Sequence, residues 1–293
     1  MHKSIKKHSG YVALLGRTNA GKSTFLNSIL ETKVSIVSNK PQTTRKQILG
    51  IKTSKAGQIV FFDSPGVHKP RFRLNEKMMK DVHNSLMDAD LILYFIDIGD
   101  RNDDPFILDL LKDKKNVFLI INKIDIYNKS KILQKIEKFK NIFNWTEIVP
   151  ISALNGDNLP LLETLIYKHL PESEHLFYDD DQYTVQSEKF YISELIREKI
   201  LHNTKDELPF TTMVSLKEIV DKGKIIYIRS EIYIETLSQK KIIVGKKGIK
   251  LKTIGESARV EIEDYFGKKV FLDLFVKVVP NWRNLQSILN ETF

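Results

Sequence analysis

Five short, mostly apolar runs, at residues 11–15, 58–62, 91–96, 117–121 and 147–151, are each followed at once by Gly, Asp, Asn or Ser. Helix-length mixtures of polar and apolar residues, at 75–87, 130–143 and 158–170, lie between or after the later runs. Strand, helix, strand in repetition predicts an α/β domain, its mostly parallel sheet covered by helices on both faces. Such sheets bind ligands beyond the carboxyl ends of their strands, so chemistry is expected in the residues that follow each run.

The alternation breaks at 171–181, where Pro171 and five acidic residues interrupt the apolar periodicity. Beyond it the order changes to a helix near 189–201, two alternating stretches, a helix and a further strand. Ile226, Ile228, Ile232 and Ile234 alternate with Tyr227, Arg229, Glu231, Tyr233 and Glu235, the pattern of a half-buried antiparallel strand, and 270–278 repeats it. Across 249–266, Ile254, Ala258, Ile262 and Phe266 form one apolar stripe at four-residue steps. The expected organisation is a nucleotide-binding domain over 1–172, a linker over 173–187 and an α+β module over 188–293.

Composition narrows the chemistry. With no cysteine in 293 residues, thiol nucleophiles, iron–sulfur clusters and thiolate zinc sites are out, and the seven histidines form no close pair at ligand spacing. The longest apolar run has six residues, 91–96, far short of the roughly 20 that span a bilayer. The basic start, 1–10, leads into an apolar stretch too short for a signal peptide, so a cytoplasmic protein is expected. The formal charge of +9 comes from 27 Lys+Arg against 21 Asp+Glu up to residue 180 and 19 against 16 after it. Neither half is strongly basic. The informative feature is local: Lys240, Lys241, Lys246, Lys247, Lys250 and Lys252 fall within thirteen residues that contain no acid.

Gly16, Arg17, Thr18, Asn19, Ala20, Gly21, Lys22 and Ser23, with Thr24 behind them, follow the first run and open a helix. That is the context of a phosphate-binding loop: glycines let backbone amides curl around phosphates, Lys22 reaches the β and γ oxygens, and the Ser23 hydroxyl binds Mg²⁺. Asp63, Ser64, Pro65 and Gly66 end the second run, where a carboxylate can hold the metal through water and the Gly66 amide can sense a γ-phosphate. Asn122, Lys123, Ile124 and Asp125 end the fourth. Asp125 can accept both N1–H and the exocyclic amine of guanine, donors that adenine does not present together. Ser152, Ala153 and Leu154 end the fifth, and the Ala153 amide can donate to guanine O6. A buried polar site of this kind discriminates strongly against the wrong base, so the expected nucleotide is GTP.

In the second module, Val244, Gly245, Lys246, Lys247 and Gly248 head the striped helix. A Gly-x-x-Gly turn with two lysines at a helix N-terminus suits a nucleic-acid backbone, as in the KH clamp, which grips four nucleotides of a single strand. Ile243, Val244, Ile249 and Ile254 are the candidates for lining the base groove.

These elements, in this order, resemble the translation-factor-related GTPases. The stretch 40–45 and the second module are similar to the Era-like GTPases of bacteria, over nearly the whole chain. The resemblance implies a type II KH domain after the GTPase domain, and a monomer that assists 30S subunit maturation by binding the 3′ end of 16S rRNA. It also implies that Thr44 closes on Mg²⁺ and the γ-phosphate, a role suited to the polar, acid-free stretch 39–47. Catalytic contributions fall to Lys22, Thr44, Gly66 and Asn19, the last matching an asparagine that ligates K⁺ in related GTPases. Metal contacts fall to Ser23, Thr44 and Asp63, and RNA contacts to Lys240, Lys241, Val244, Gly245, Lys246, Lys247, Gly248, Lys250, Lys252 and Arg259. Val67 stands where Ras-type enzymes place a water-orienting glutamine, so slow intrinsic hydrolysis is expected; His68 and Arg45 are weaker catalytic candidates. Two rival readings are an RNA-binding module whose GTP is barely hydrolysed, and a signalling GTPase whose lysine cluster meets anionic lipid at the inner face of the membrane.

Overall fold

The computed structural model describes residues 7–292 except 69, 71, 101–103, 174 and 205–207; the basic start at 1–6 lies outside the described residues. The chain divides into two compact units. The first holds residues up to Ser35, Thr44–Lys69 and Lys77–Val185, and the second holds Ile36–Thr43, Pro70–Glu76 and Gln186–Phe293.

In the first unit, β1 (His8–Gly16), α1 (Lys22–Leu30), β2 (Ile48–Ser54), β3 (Gly57–Asp63), β4 (Leu91–Asp97), β5 (Val117–Asn122) and β6 (Glu147–Pro150) supply the sheet and its first helix. The sheet order is β2-β3-β1-β4-β5-β6. All pairings are parallel except β2 with β3. Residues 91–96 and 117–122 are buried throughout, which is why they read as unbroken apolar runs. β2 is an antiparallel edge strand that the apolar-run pattern does not predict: Gly50, Lys52, Thr53 and Ser54 dilute its apolar residues. The helix α2 begins at Arg73 and runs to Asp88, and α3 (Pro105–Leu111), α4 (Lys129–Phe139) and α5 (Leu159–His169) complete the set. Asp104 caps α3 by accepting the Phe106 N–H, with Pro105 at the first helical position. The chain leaves β1 for β3 on one side and β4 on the other, so the carboxyl end of β1 is the point where strand order reverses.

The segment read as a linker is built into the first unit through residue 185. Gln58, fully buried, accepts the N–H groups of Phe177 and Tyr178, and the N–H of Ile51 in β2 donates to the Tyr183 carbonyl at 2.8 Å.

The second unit contains α6 (Glu188–Asn203), α7 (Leu208–Thr211), β7 (Met213–Asp221), β8 (Ile225–Ile234), α8 (Leu237–Val244), α9 (Ile249–Phe266), β9 (Lys269–Val278) and α10 (Gln286–Thr292). β8 lies between an antiparallel β7 and a parallel β9. Even-numbered residues of β8 are buried from Ile226 to Ile234, as the alternation predicts. They meet the Ile254, Ala258 and Ile262 stripe of α9 in one core. Thr236 and Gln239 form a capping box that starts α8, and Gly267, in the left-handed region, ends α9.

Candidate functional site

Every motif in the first unit lies at the carboxyl end of its strand, along one edge of the sheet. Parallel register pairs Leu14 with Asp63, Gly16 with Phe95 and Asp97 with Asn122, which brings the loops level. The loop after β1 needs left-handed backbone at Asn19 (φ 66°) and Gly21 (φ 92°). At Gly21 a Cβ would stand 2.1 Å from the Asn122 amide, so glycine is required there by space as well as by φ.

Lys22 is buried, its ammonium donating to the carbonyls of Gly16 (3.1 Å) and Arg17 (3.0 Å). Burial lowers its pKa to about 8, against a smaller opposing effect of the Asp63 charge. Because phosphate binds the charged form, nucleotide affinity should be level below pH 8 and weaken as pH rises above it, up to about tenfold per unit. The same sign makes the nucleotide-free fold gain stability between pH 8 and the lysine's ordinary value, since there the unfolded chain holds the proton and the folded one does not. Titrating GDP in EDTA at pH 7, 8 and 9, so that no metal charge enters, checks the first expectation. Level affinity across that range would contradict it.

Ser23, Thr44 and Asp63 come together. The Ser23 hydroxyl donates to Asp63 Oδ2 at 2.7 Å and lies 2.9 Å from Thr44 Oγ1, and Ser35, which the sequence reading did not single out, donates to the same carboxylate oxygen at 3.0 Å. Asp63 is fully buried, and burial holds its pKa above the usual carboxylate range despite the Lys22 charge and both hydroxyls. Its second oxygen, Oδ1, has no hydrogen-bond partner. Two hydroxyls and a desolvated carboxylate with a spare oxygen fit a hard divalent cation that takes its other ligands from phosphate and water. Among the described residues no three His, Cys, Asp or Glu side chains gather as an alternative metal site.

Gly66 packs against Thr18, and a Cβ there would stand 2.7 Å from the Thr18 nitrogen. Val67 turns into the apolar core among Leu15, Phe62 and Met79, while its N–H donates to the Gly16 carbonyl at 3.2 Å. Its side chain therefore takes no part in the site. Ser64 faces α2, its hydroxyl 2.6 Å from that of Ser85, and His68 Nδ1 lies 2.7 Å from the Gly66 carbonyl oxygen.

On the base side Asn122 ties three loops together. Its amide donates to the Ala20 carbonyl at 2.9 Å, and its Oδ1 accepts the N–H groups of Lys123 (2.8 Å) and Ala153 (3.0 Å). The Ala153 amide, expected to face guanine O6, is thus held by Asn122, because a buried donor takes the nearest acceptor. The Ser152 hydroxyl donates to Asp125 Oδ1 at 2.6 Å and fixes the orientation of that exposed carboxylate. Lys123 pairs with Asp97 at 2.6 Å, which aligns its stem. Asp97 ends the 91–96 run, where the strand rule placed chemistry, and was missed because no motif frames it. The Leu154 side chain is exposed.

In the second unit the turn between α8 and α9 carries Gly245 (φ 72°, ψ 178°), Lys247 (φ 52°) and Gly248 (φ 78°). The Gly248 N–H donates to the Gly245 carbonyl at 3.2 Å, and Lys246 and Lys247 are exposed. Beside the turn, a groove of about 430 Å³ runs between α9 and β9, lined by Leu251, Gly255 and Arg259 on one side and Phe271, Leu272 and Leu274 on the other. Ile243 and Ile254, candidates for its lining, are fully buried in the core instead, because the stripe they belong to is the sheet-facing side of the helix pair. Ile249 is exposed, and Lys240 lies 5.4 Å over the ring of Phe275.

Two families of known proteins match separate stretches of the chain. The family described as 50S ribosome-binding GTPase matches residues 11–123, and the KH domain family matches 207–283. The chain is 40% identical to the curated GTPase Era of Staphylococcus haemolyticus over 287 residues, 97% of this chain and 96% of that protein. The chain belongs to the Era family of GTPases. Two crystal structures of Era are similar throughout. One, in complex with MgGDPNP and nucleotides 1506–1542 of 16S ribosomal RNA, has a TM-score of 0.93 at 38% identity and 98% coverage of both chains. The other, a substituted Aquifex aeolicus Era bound to GDP·AlF₄⁻, has a TM-score of 0.92 at 38% identity, covering 97% of this chain and 98% of that one. This Era-family chain is therefore a GTPase with a mostly parallel GTPase sheet and a C-terminal KH domain. Among its described residues no helix is long and apolar enough to cross a membrane.

Proposed function

We propose that this GTPase is a 30S assembly factor of the cytoplasm that grips the single-stranded 3′ end of 16S rRNA in its KH domain while its nucleotide state gates the grip. Residues 1–172 bind Mg²⁺ and GTP: the Gly16–Thr24 loop and Lys22 hold the phosphates, Ser23, Thr44 and Asp63 hold the metal, and Asn122, Asp125 and the Ser152 loop read guanine. Residues 188–293 bind RNA, with Gly245 and Gly248 admitting the sugar–phosphate backbone, Lys246, Lys247, Lys250 and Lys252 meeting phosphates, and the α9–β9 groove taking bases. Intrinsic hydrolysis is slow, since Val67 is packed in the core and no side chain at that position orients water.

The observation that carries the RNA reading is the paired glycine turn, with two exposed lysines, opening onto the groove of about 430 Å³. Support for the identity of the RNA is the Era relative crystallised with nucleotides 1506–1542 of 16S ribosomal RNA. Reversing both charges, Lys246→Glu with Lys247→Glu, should weaken binding of that RNA at least about tenfold and make the salt slope shallower by about 0.7 per lost phosphate contact. GTP turnover without RNA should stay at the wild-type rate. Unchanged RNA affinity would move the RNA site elsewhere, and vesicle binding lost in place of RNA binding would favour the lipid reading.

A further inference from the structure

The two oxygens of the buried Asp63 carboxylate are treated unequally. Oδ2 accepts the Ser23 hydroxyl at 2.7 Å and the Ser35 hydroxyl at 3.0 Å, while Oδ1 has no hydrogen-bond partner. A hydroxyl has one proton to give. Ser23 gives its own to Asp63, so across the 2.9 Å contact between Ser23 and Thr44 the threonine is the donor. Ser23 and Thr44 are both assigned to the metal, which leaves Ser35 as the hydroxyl that serves the carboxylate alone.

Ser35 is 1% exposed, and its backbone is held from α1. Asn27 Oδ1 accepts the N–H groups of Val34 (3.0 Å) and Ser35 (2.9 Å), and the Asn27 amide donates to the Ser35 carbonyl at 2.7 Å. One side chain thus fixes both the N–H and the C=O of Ser35, and with them the reach of its hydroxyl. Asparagine is a poor choice inside a helix, because its amide competes for backbone groups; here the groups it takes are those of Val34 and Ser35. Asn27 stands four residues after Ser23, on the same face of α1. A single helix face therefore reaches Asp63 twice, directly through Ser23 and indirectly through Asn27 and Ser35. All of these residues belong to the first compact unit.

We propose that Ser35 is a positioning residue for the metal-holding carboxylate: with Asn27 behind it, it occupies Oδ2 of Asp63 and keeps Oδ1 for the divalent cation. A buried carboxylate without donors is costly to keep charged and is free to turn about its Cβ–Cγ bond. Two donors on one oxygen offset that cost and set the plane of the group, and neither covers the other oxygen. This rests on the reading of Ser23, Thr44 and Asp63 as the residues that hold the metal.

The test is a titration of GDPNP affinity with Mg²⁺, starting in EDTA, on the full chain of wild type, Ser35→Ala and Asp63→Asn. Ser35→Ala should need about tenfold more free Mg²⁺ to reach half of the metal's effect, the usual size when the partner of a metal ligand is removed, and should bind GDPNP in EDTA within about twofold of wild type. A hydroxyl that only satisfied a buried oxygen would lower thermal stability, or weaken binding equally with and without metal, and leave the Mg²⁺ requirement at the wild-type value. That result overturns the proposal. If Ser35→Ala fails to fold, Ser35→Cys, close in shape but a weaker donor, decides alone: a raised Mg²⁺ requirement supports the proposal and a wild-type one overturns it. Asp63→Asn separates this inference from the reading beneath it. Wild-type Mg²⁺ dependence in Asp63→Asn would overturn the metal reading and the proposal together, whereas dependence lost there and unaltered in Ser35→Ala overturns the role of Ser35 only.

Discussion

Lys22→Ala should lower multiple-turnover GTP hydrolysis by about a hundred- to a thousandfold, while leaving the fold intact. The ammonium is placed among the loop carbonyls of Gly16 and Arg17, where a β or γ oxygen would exchange for them without further rearrangement. Removing a preorganised charge of this kind costs about two to three orders of magnitude in rate. The folded state does not need it: burial lowers the lysine's pKa to about 8, the sign of a charge held against its preference for water. The variant should therefore melt no lower than wild type. Phosphate release and thermal melting on the same preparation check both halves, and turnover within tenfold of wild type would remove Lys22 from the chemistry.

Asp125→Asn should convert the nucleotide preference from guanine to xanthine. Asp125 Oδ1 already accepts the Ser152 hydroxyl at 2.6 Å, which sets the plane of the carboxylate and leaves acceptors facing the base. Guanine offers two donors on that edge. The introduced amide keeps one acceptor, for N1–H and Ser152, and presents a donor where guanine has its amine, so two donors meet. Affinity for GTP should fall at least about a thousandfold, as in other sites built to pair a particular polar edge. Xanthine carries an oxygen in place of that amine and should recover most of the loss. Competition between GTP and XTP for one fluorescent nucleotide reads the switch, and an unchanged preference would place the base elsewhere.

Much of the phosphate and metal site was legible because its residues are bound to strand ends by short-range rules: the runs that end at Gly16, Asp63 and Asn122 are mostly or wholly buried and stand out as apolar blocks. β2 was not, since an edge strand half open to solvent tolerates Lys52, Thr53 and Ser54. Seven-residue α3 is too short for a periodic signal, though Asp104 with Pro105 marks its start. The groove was misplaced by one helix face. Ile254, Ala258 and Ile262 mark the core side of α9, and the neighbouring face, Gly248, Leu251, Gly255 and Arg259, follows the same three- and four-residue steps. Gly255 was the available clue, because a glycine inside a helix costs about 1 kcal/mol relative to alanine and asks for a reason. Ser35 had no such clue, as its partner Asp63 lies 28 residues further along the chain.

The stretch that ends the first unit also governs how this chain behaves in a crowd of its own kind. β2 is the outermost strand, and Ile51 and Gly50 would offer an open row of backbone groups to any passing strand. Tyr183 and Thr184 occupy that row instead: the Ile51 N–H is spent on Tyr183, Thr184 bridges to Gly50, and the Thr184 hydroxyl takes the Leu49 carbonyl at 2.7 Å. An acidic passage before them, Asp179 to Asp181, adds like-charge repulsion at the same edge. A fragment cut at residue 172 would bare a sticky border and self-associate, whereas one cut after 185 would carry its own seal.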